Sequence, residues 1–185
     1  MDQLNDIPEV QYRERQYNSA SNLGFQRVVP INTDTCPHET FERLWEKVQA
    51  ADYAFEDSTR GDKVRFLGSM LQPGTYNFEL PDLAFGQLVN AYPGSNAAIH
   101  FITLDTVPTT QLVSAAGEMF AFGFDQLGIH RLTAYIPEFN QRVTRMASLL
   151  RMKFEGSMRS AFLYRGDHWD LHIYGLLDGE WKRRN

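Results

Sequence analysis

Two hydrophobic periods alternate along this chain, and the points where one gives way to the other lay out its elements. Residues 1–23 show no sustained period and read as a flexible or partner-dependent arm. Residues 25–31 suit a short strand that ends near Pro30. Pro37 then opens a helical stretch through residue 55, with Phe41, Leu44, Trp45 and Val48 on one stripe. A shorter helix over 63–71 offers Val64, Leu67 and Leu71 to the same core and stops at Pro73-Gly74. Period two follows over 75–80, 83–92 and 97–104, with Pro93-Gly94-Ser95-Asn96 as a hairpin loop. In the last of these strands Ile99, Phe101 and Thr103 face one way, and His100, Ile102 and Leu104 the other. Residues 109–127 return to a helical stripe of Leu112, Ala115, Ala116, Met119, Phe120, Gly123 and Leu127, capped by Gly128. Leu132, Ala134 and Ile136 alternate in a short strand, and Asn140 caps a helix carrying Val143, Met146, Ala147 and Leu150. A hairpin about Gly166-Asp167 closes the chain.

A strand, a helix and a second strand in succession demand a parallel pair, while the flanking hairpins demand antiparallel ones. The predicted fold is a single α/β (α+β) domain over residues 24–185, with a mixed sheet and helices on both faces. Composition agrees with one globular core: 43% of the 185 residues are hydrophobic and 13% aromatic. The net charge of −5 offers no general attraction to nucleic acid or anionic membrane, and neither is expected as a partner. No apolar run approaches the roughly 20 residues of a membrane span. The polar start does not resemble a signal peptide, and the single cysteine, Cys36, fits a reducing compartment. A cytoplasmic location is expected, and a homodimer is compatible with the aromatic content.

The second half carries the most specific pattern. Leu127-Gly128-Ile129-His130-Arg131 ends a helix and enters a strand, Asn140 starts the next helix, and Glu155-Gly156 follow. The tail continues with Arg159, Ala161-Phe162, Gly166, Asp170, Tyr174-Gly175-Leu176-Leu177 and Glu180-Trp181. In these residues and their spacing the chain resembles the GNAT superfamily of acyl-CoA N-acyltransferases, and within it the branch that acetylates ribosomal-protein N-termini. The resemblance implies a twisted sheet in which strands 97–104 and 131–136 splay apart to admit acetyl-CoA. It further implies attack of an amine, from a protein N-terminus or a small molecule, on a thioester. Asn140 would contact the pantetheine arm or serve as a plain N-cap. The backbone near Ile102 and Leu104 would offer an oxyanion donor if the strand bulges there. The family's glycine-rich phosphate loop falls on Pro108 and Thr110, leaving Thr109, Thr110 and Gln111 as the donors to a phosphate.

Among chemical groups, His100 is a candidate general base near neutral pH, and Glu79 is another. The tyrosine acid common in the family is absent, and Ser148 stands in its region. Arg142, Arg145, Arg151 and Lys153 either meet CoA phosphates or form a solvated face. His168, Asp170 and His172 share one strand face, but the matching family tail uses no metal, and no metal is expected. Two functions stay open. One is an N-acetyltransferase using acetyl-CoA on an amine. The other is a catalytically silent protein of the same fold that has lost the phosphate loop and serves binding or assembly.

Overall fold

The computed structural model describes residues 29–31, 38–51, 53, 56–80, 84–103 and 107–182. The N-terminal arm, most of the first strand candidate, Cys36 and Leu104 lie outside these residues. A seven-stranded sheet runs in the order β1-β2-β3-β4-β5-β7-β6. Its strands are β1 (Val29–Ile31), β2 (Tyr76–Leu80), β3 (Ala84–Val89), β4 (Asn96–Thr103), β5 (Arg131–Pro137), β6 (Lys153–Tyr164) and β7 (Asp167–Leu177). The helices are α1 (His38–Gln49), α2 (Lys63–Met70), α3 (Thr109–Ala121), α4 (Gln141–Leu149) and α5 (Asp178–Lys182). Every sheet pairing is antiparallel except β4 with β5, the pair joined through α3.

Alternation along the strands divides the core in two. On one face Leu88, Ile99, Leu132 and Leu176 pack against α3 and α4 through Leu112, Met119, Phe120 and Met146. On the other face Phe85 and Ile102 meet Leu44, Trp45 and Val48 of α1 and Phe66 and Met70 of α2. The stripes expected on α1, α3 and α4 are the ones that become buried, although Phe41 and Val143 are covered only in part.

Helix α2 turns a different face inward. Val64 and Leu71 are 82% and 61% exposed, whereas Phe66 and Met70 are buried. Phe66 lies 5.6 Å from Trp45 and 5.5 Å from Phe85, ring centre to ring centre. Two aromatic contacts outweigh the smaller surface of a valine, which sets the rotation of this short helix. Helix α1 stops at Gln49, earlier than its pattern suggested, and β6 starts at Lys153, well before the expected hairpin strand. The five-residue helix α5 has no periodic signature and is fixed by Trp181, which stacks on Phe124 and packs edge-on to Phe120.

Between α3 and β5 the helix widens into a π-turn, Phe122–Gln126, with the Leu127 amide donating to the Phe122 carbonyl at 3.2 Å. Gly123 lies inside it, and a Cβ there would stand 3.1 Å from Leu88 Cδ1. Close approach of helix to sheet therefore requires the glycine. Gly128 then adopts φ +64 and ends the helix, as its position predicted.

Candidate active site

The site begins with a pairing that stops. Strands β4 and β5 are joined only from Asn96↔Arg131 to Ile99↔Ala134. Beyond that point β4 stays with β3 as far as Thr103, and β5 stays with β7 as far as Pro137. Each strand follows its antiparallel neighbour, and sheet twist carries the two apart. The Tyr53 hydroxyl supports the separation. It donates to the Thr103 carbonyl at 2.7 Å and accepts from the Thr103 amide at 3.1 Å. A phenol thus satisfies backbone groups that a paired strand would otherwise bind.

The splay opens a cleft of about 600 Å³, within the roughly 300–1,000 Å³ typical of small-ligand sites. Its two sides differ. Phe101, Ala116, Phe120, Val143, Met146 and Leu150 give an apolar side, and Tyr53, Glu56, Thr59, Asp62, Arg65 and Ser69 give a polar one. His100 also lines the cleft, beside Gln87 of β3 in register. Gln87 donates to Asn77 Oδ1 at 2.9 Å, and Asn77 donates to the Met70 carbonyl at 2.9 Å. This buried amide chain ties the strand beside His100 to the end of α2. It was not anticipated, because no local pattern marks Asn77 or Gln87 as inward-facing. The His100 ring reaches cleft solvent, yet the protein packed about it desolvates the charged form and lowers its pKa below the usual 6.5.

The other candidates are distributed unevenly. Ile102 and Asn140 line the cleft. Glu79 shares the face of His100 but is not among the lining residues. It is buried and bound by Arg43 at 2.6 Å and Lys47 at 3.3 Å, both from α1. Ser148 is exposed on α4 and donates to the Thr144 carbonyl at 3.1 Å. Thr109, Thr110 and Gln111 form the first turn of α3, where the Gln111 amide already donates to the Pro108 carbonyl at 3.0 Å. Pro108 occupies the N-cap of α3 without a side-chain cap bond. From α4, the Arg142 guanidinium donates to the Val107 carbonyl, which sets a cation beside the start of α3.

Asn140 accepts from the Val143 amide at 3.1 Å, the geometry of an N-cap. Asn140→Ala should therefore cost about 1 kcal/mol of stability, read as a fall of roughly 2–4 °C in melting temperature. Asn140→Asp keeps the cap oxygen and should leave the melting temperature unchanged.

Several motif residues of the second half prove to be a structural clamp. Arg131 donates from Nη1 to Glu155 Oε1 at 2.9 Å, and its Nη2 meets Glu155 Oε2. The pair crosses directly over Gly175, where a Cβ would come within 2.4 Å of Glu155 Oε1. The hydrogen bond from Arg131 holds the Glu155 carboxyl below the usual carboxylate value. Its stabilising contribution is present above pH 4.5 and fades as the pH falls through the lower folded value.

Among the described residues no group of three or more His, Cys, Asp or Glu is placed to hold a metal. Asp170 accepts instead from the Ser160 amide at 3.0 Å, and the His172 ring lies edge-on to Phe154. No helix among the described residues is long and apolar enough to cross a membrane.

No model of a known protein family matches the sequence, and no curated protein matches it. Solved structures do match the fold. A spermidine N-acetyltransferase from Vibrio cholerae, solved in complex with CoA and spermine, superposes with a TM-score of 0.68 at 10% identity, covering 84% of this chain and 98% of that one. A GNAT-family acetyltransferase from Bacillus anthracis gives 0.65 at 16% identity, covering 84% and 98%. A probable GNAT-family acetyltransferase from Chromobacterium violaceum gives 0.64 at 19% identity, covering 84% and 88%. At such identities the likeness speaks for architecture alone, and the architecture of this chain is the GNAT acetyltransferase fold.

Proposed function

We propose that this protein transfers an acetyl group from acetyl-CoA to an amine. The observation that carries this reading is the splay of β4 from β5 with His100 lining the cleft it opens. The residues present fit the donor. Thr103 aims its amide and carbonyl away from β3, toward Tyr53. Residues two apart on a strand aim their backbone groups alike, so those of Phe101 also face the gap. An extended, amide-bearing arm finds donors and acceptors there. The first turn of α3, with Arg142 beside it, would hold phosphates. Acetyl-CoA supplies the activated acyl thioester when bound.

The chain's own residues supply the rest. A histidine with a lowered pKa is neutral at pH 7 and can take the proton that an ammonium must lose before it attacks. The Phe101 amide, at the gap, suits stabilisation of negative charge developing on an acyl oxygen. Ser148 and Glu79 lie outside the cleft lining. Their part in acyl transfer would require rearrangement, and His100 is the base this reading favours. The acceptor is an amine of a small molecule or of a protein N-terminus, as in the ribosomal-protein branch that the tail residues resemble.

One observation favours the silent reading. Pro108 replaces an amide donor at the start of α3, and the neighbouring Val107 carbonyl already engages Arg142. A thermal shift with acetyl-CoA separates the two. At about 100 times its Kd, a native-state ligand adds roughly 2.7 kcal/mol, expected here as a rise of roughly 5–11 °C. An unchanged melting temperature in millimolar acetyl-CoA would exclude acetyl transfer and leave the binding or assembly role.

A further inference from the structure

Three polar side chains stand in one row across the sheet, and the row ends at the cleft. Asn77 of β2 pairs with Gln87 of β3, and Gln87 pairs with His100 of β4. Cross-strand partners project to the same face, with Cβ atoms about 4.5–5.5 Å apart. Asn77 and Gln87 are buried, yet Gln87 and His100 both line the cleft. A backbone carbonyl sets the polarity of the row. The Met70 carbonyl can only accept, so Asn77 turns Nδ2 toward it, at 2.9 Å. Asn77 Oδ1 then faces Gln87 and can only accept, so Gln87 turns Nε2 toward it, at 2.9 Å. Each amide is held in one of its two orientations by the group before it.

Gln87 Oε1 is the acceptor that remains. Among the described residues no hydrogen bond engages it. Nor is it one of the fully buried side-chain atoms left without a partner. It therefore touches solvent, and the solvent within reach of Gln87 is that of the cleft. An amide oxygen accepts and cannot donate. A fixed acceptor thus stands beside His100, and the ligand that completes it must bring a hydrogen.

We propose that Gln87 Oε1 holds the acceptor nitrogen through one N–H while His100 removes another, which makes Gln87 a specificity-determining residue of the acetyl transfer. This rests on the acetyl-transfer reading given above. The hydrogens of the acceptor decide the outcome. A primary ammonium carries three. One leaves as a proton to His100 and frees the lone pair that forms the C–N bond. As the C–S bond breaks, its electron pair leaves with the sulfur, and a second proton follows to give the thiol. The third hydrogen stays on the product amide, and Gln87 Oε1 holds it from start to finish. A secondary ammonium carries only two and loses both. Its product leaves Gln87 Oε1 without a partner in a closed site, which is costly. Asn77 acts through Gln87 and is a positioning residue.

The test measures kcat/KM of the full chain for butylamine and for N-methylbutylamine, with acetyl-CoA as donor, in the wild type, Gln87→Met and Gln87→Glu. Methionine keeps the volume and removes the acceptor. Glutamate keeps an acceptor oxygen toward the cleft. The wild type should prefer butylamine. Gln87→Met should lower that preference about tenfold, whereas Gln87→Glu should retain it. A displaced His100 would slow both amines alike, so the ratio separates a grip on the nitrogen from structural support. A second measurement needs only the wild type and stands even if Gln87→Met fails to fold. N-butylacetamide keeps the hydrogen and should inhibit several-fold more tightly than N-butyl-N-methylacetamide, which has none. An unchanged ratio in Gln87→Met, an equal fall in both variants, or equal inhibition by the two amides would overturn the proposal while acetyl transfer stands. If the wild type acetylates neither amine, the acetyl-transfer reading fails and this proposal fails with it.

Discussion

His100→Gln should lower kcat for acetyl transfer to an amine by about 10²–10⁴, the range that a positioned general base supplies. Glutamine keeps most of the side-chain volume but cannot take up a proton near neutrality. Because His100 faces the cleft instead of filling the core, the substitution should leave the melting temperature and the acetyl-CoA thermal shift close to wild type. The pH profile provides the sharper test. Desolvation lowers the His100 pKa, so its neutral form persists below 6.5. The wild-type rate should rise with pH along a limb centred below that value, and the limb should vanish in the variant. Tyr53, Glu56, Asp62 and Arg65 line the same cleft, and burial is what lowers the His100 value. Stability follows the same sign. The unfolded chain binds a proton at His100 more readily than the folded one. Its contribution is therefore neutral above 6.5 and destabilises as the pH falls toward the lower folded pKa. An unaltered pH–rate profile in His100→Gln would remove this residue from the chemistry.

Phe120→Ala should cost about 3–5 kcal/mol, the usual loss for a fully buried phenylalanine. Phe120 is 2% exposed, packs edge-on to Trp181 at 6.0 Å and also lines the cleft. Its removal leaves a void that the sheet on one side and α5 on the other cannot both close. For a domain of this size the melting temperature should fall by roughly 6–20 °C. Chemical denaturation would give the free energy directly, and a loss below about 1 kcal/mol would show that the site collapses without penalty. Activity at a temperature where the variant remains folded should decline less than stability, since Phe120 belongs to the apolar side of the cleft and not to the proton path.

The stripes of α1, α3 and α4 could be read in advance because each helix carries one dominant apolar face. Helix α2 could not. Eight residues hold two competing apolar faces, and only the rings of Trp45 and Phe85 decide between them. Glu79 is a candidate base by its place on a meander strand near the expected cleft. Nothing in its own neighbourhood announces Arg43 and Lys47, which reach it from 36 and 32 residues away. For Ser148 the deciding fact is also placement: its helix faces the cleft with Met146 and Ala147, and the serine falls on the exposed side. Asn140 was legible as a cap, because capping joins residues only three apart in sequence and does not depend on tertiary surroundings.

By itself the sequence determined the element order from β1 to β7 and the parallel pair joined through α3. These follow from local periods and from the crossover that a strand, a helix and a second strand in succession demand. Tertiary structure decided the extent and lining of the site. The end of β4–β5 pairing depends on how far β3 and β7 hold their own partners. The Tyr53 contact to Thr103 spans 50 residues, and the Asp57 contact to Gly166 spans 109. Such contacts arise from strand splay and from a bulge that bends β6. They are properties of how elements are placed, and no periodicity along the chain encodes them.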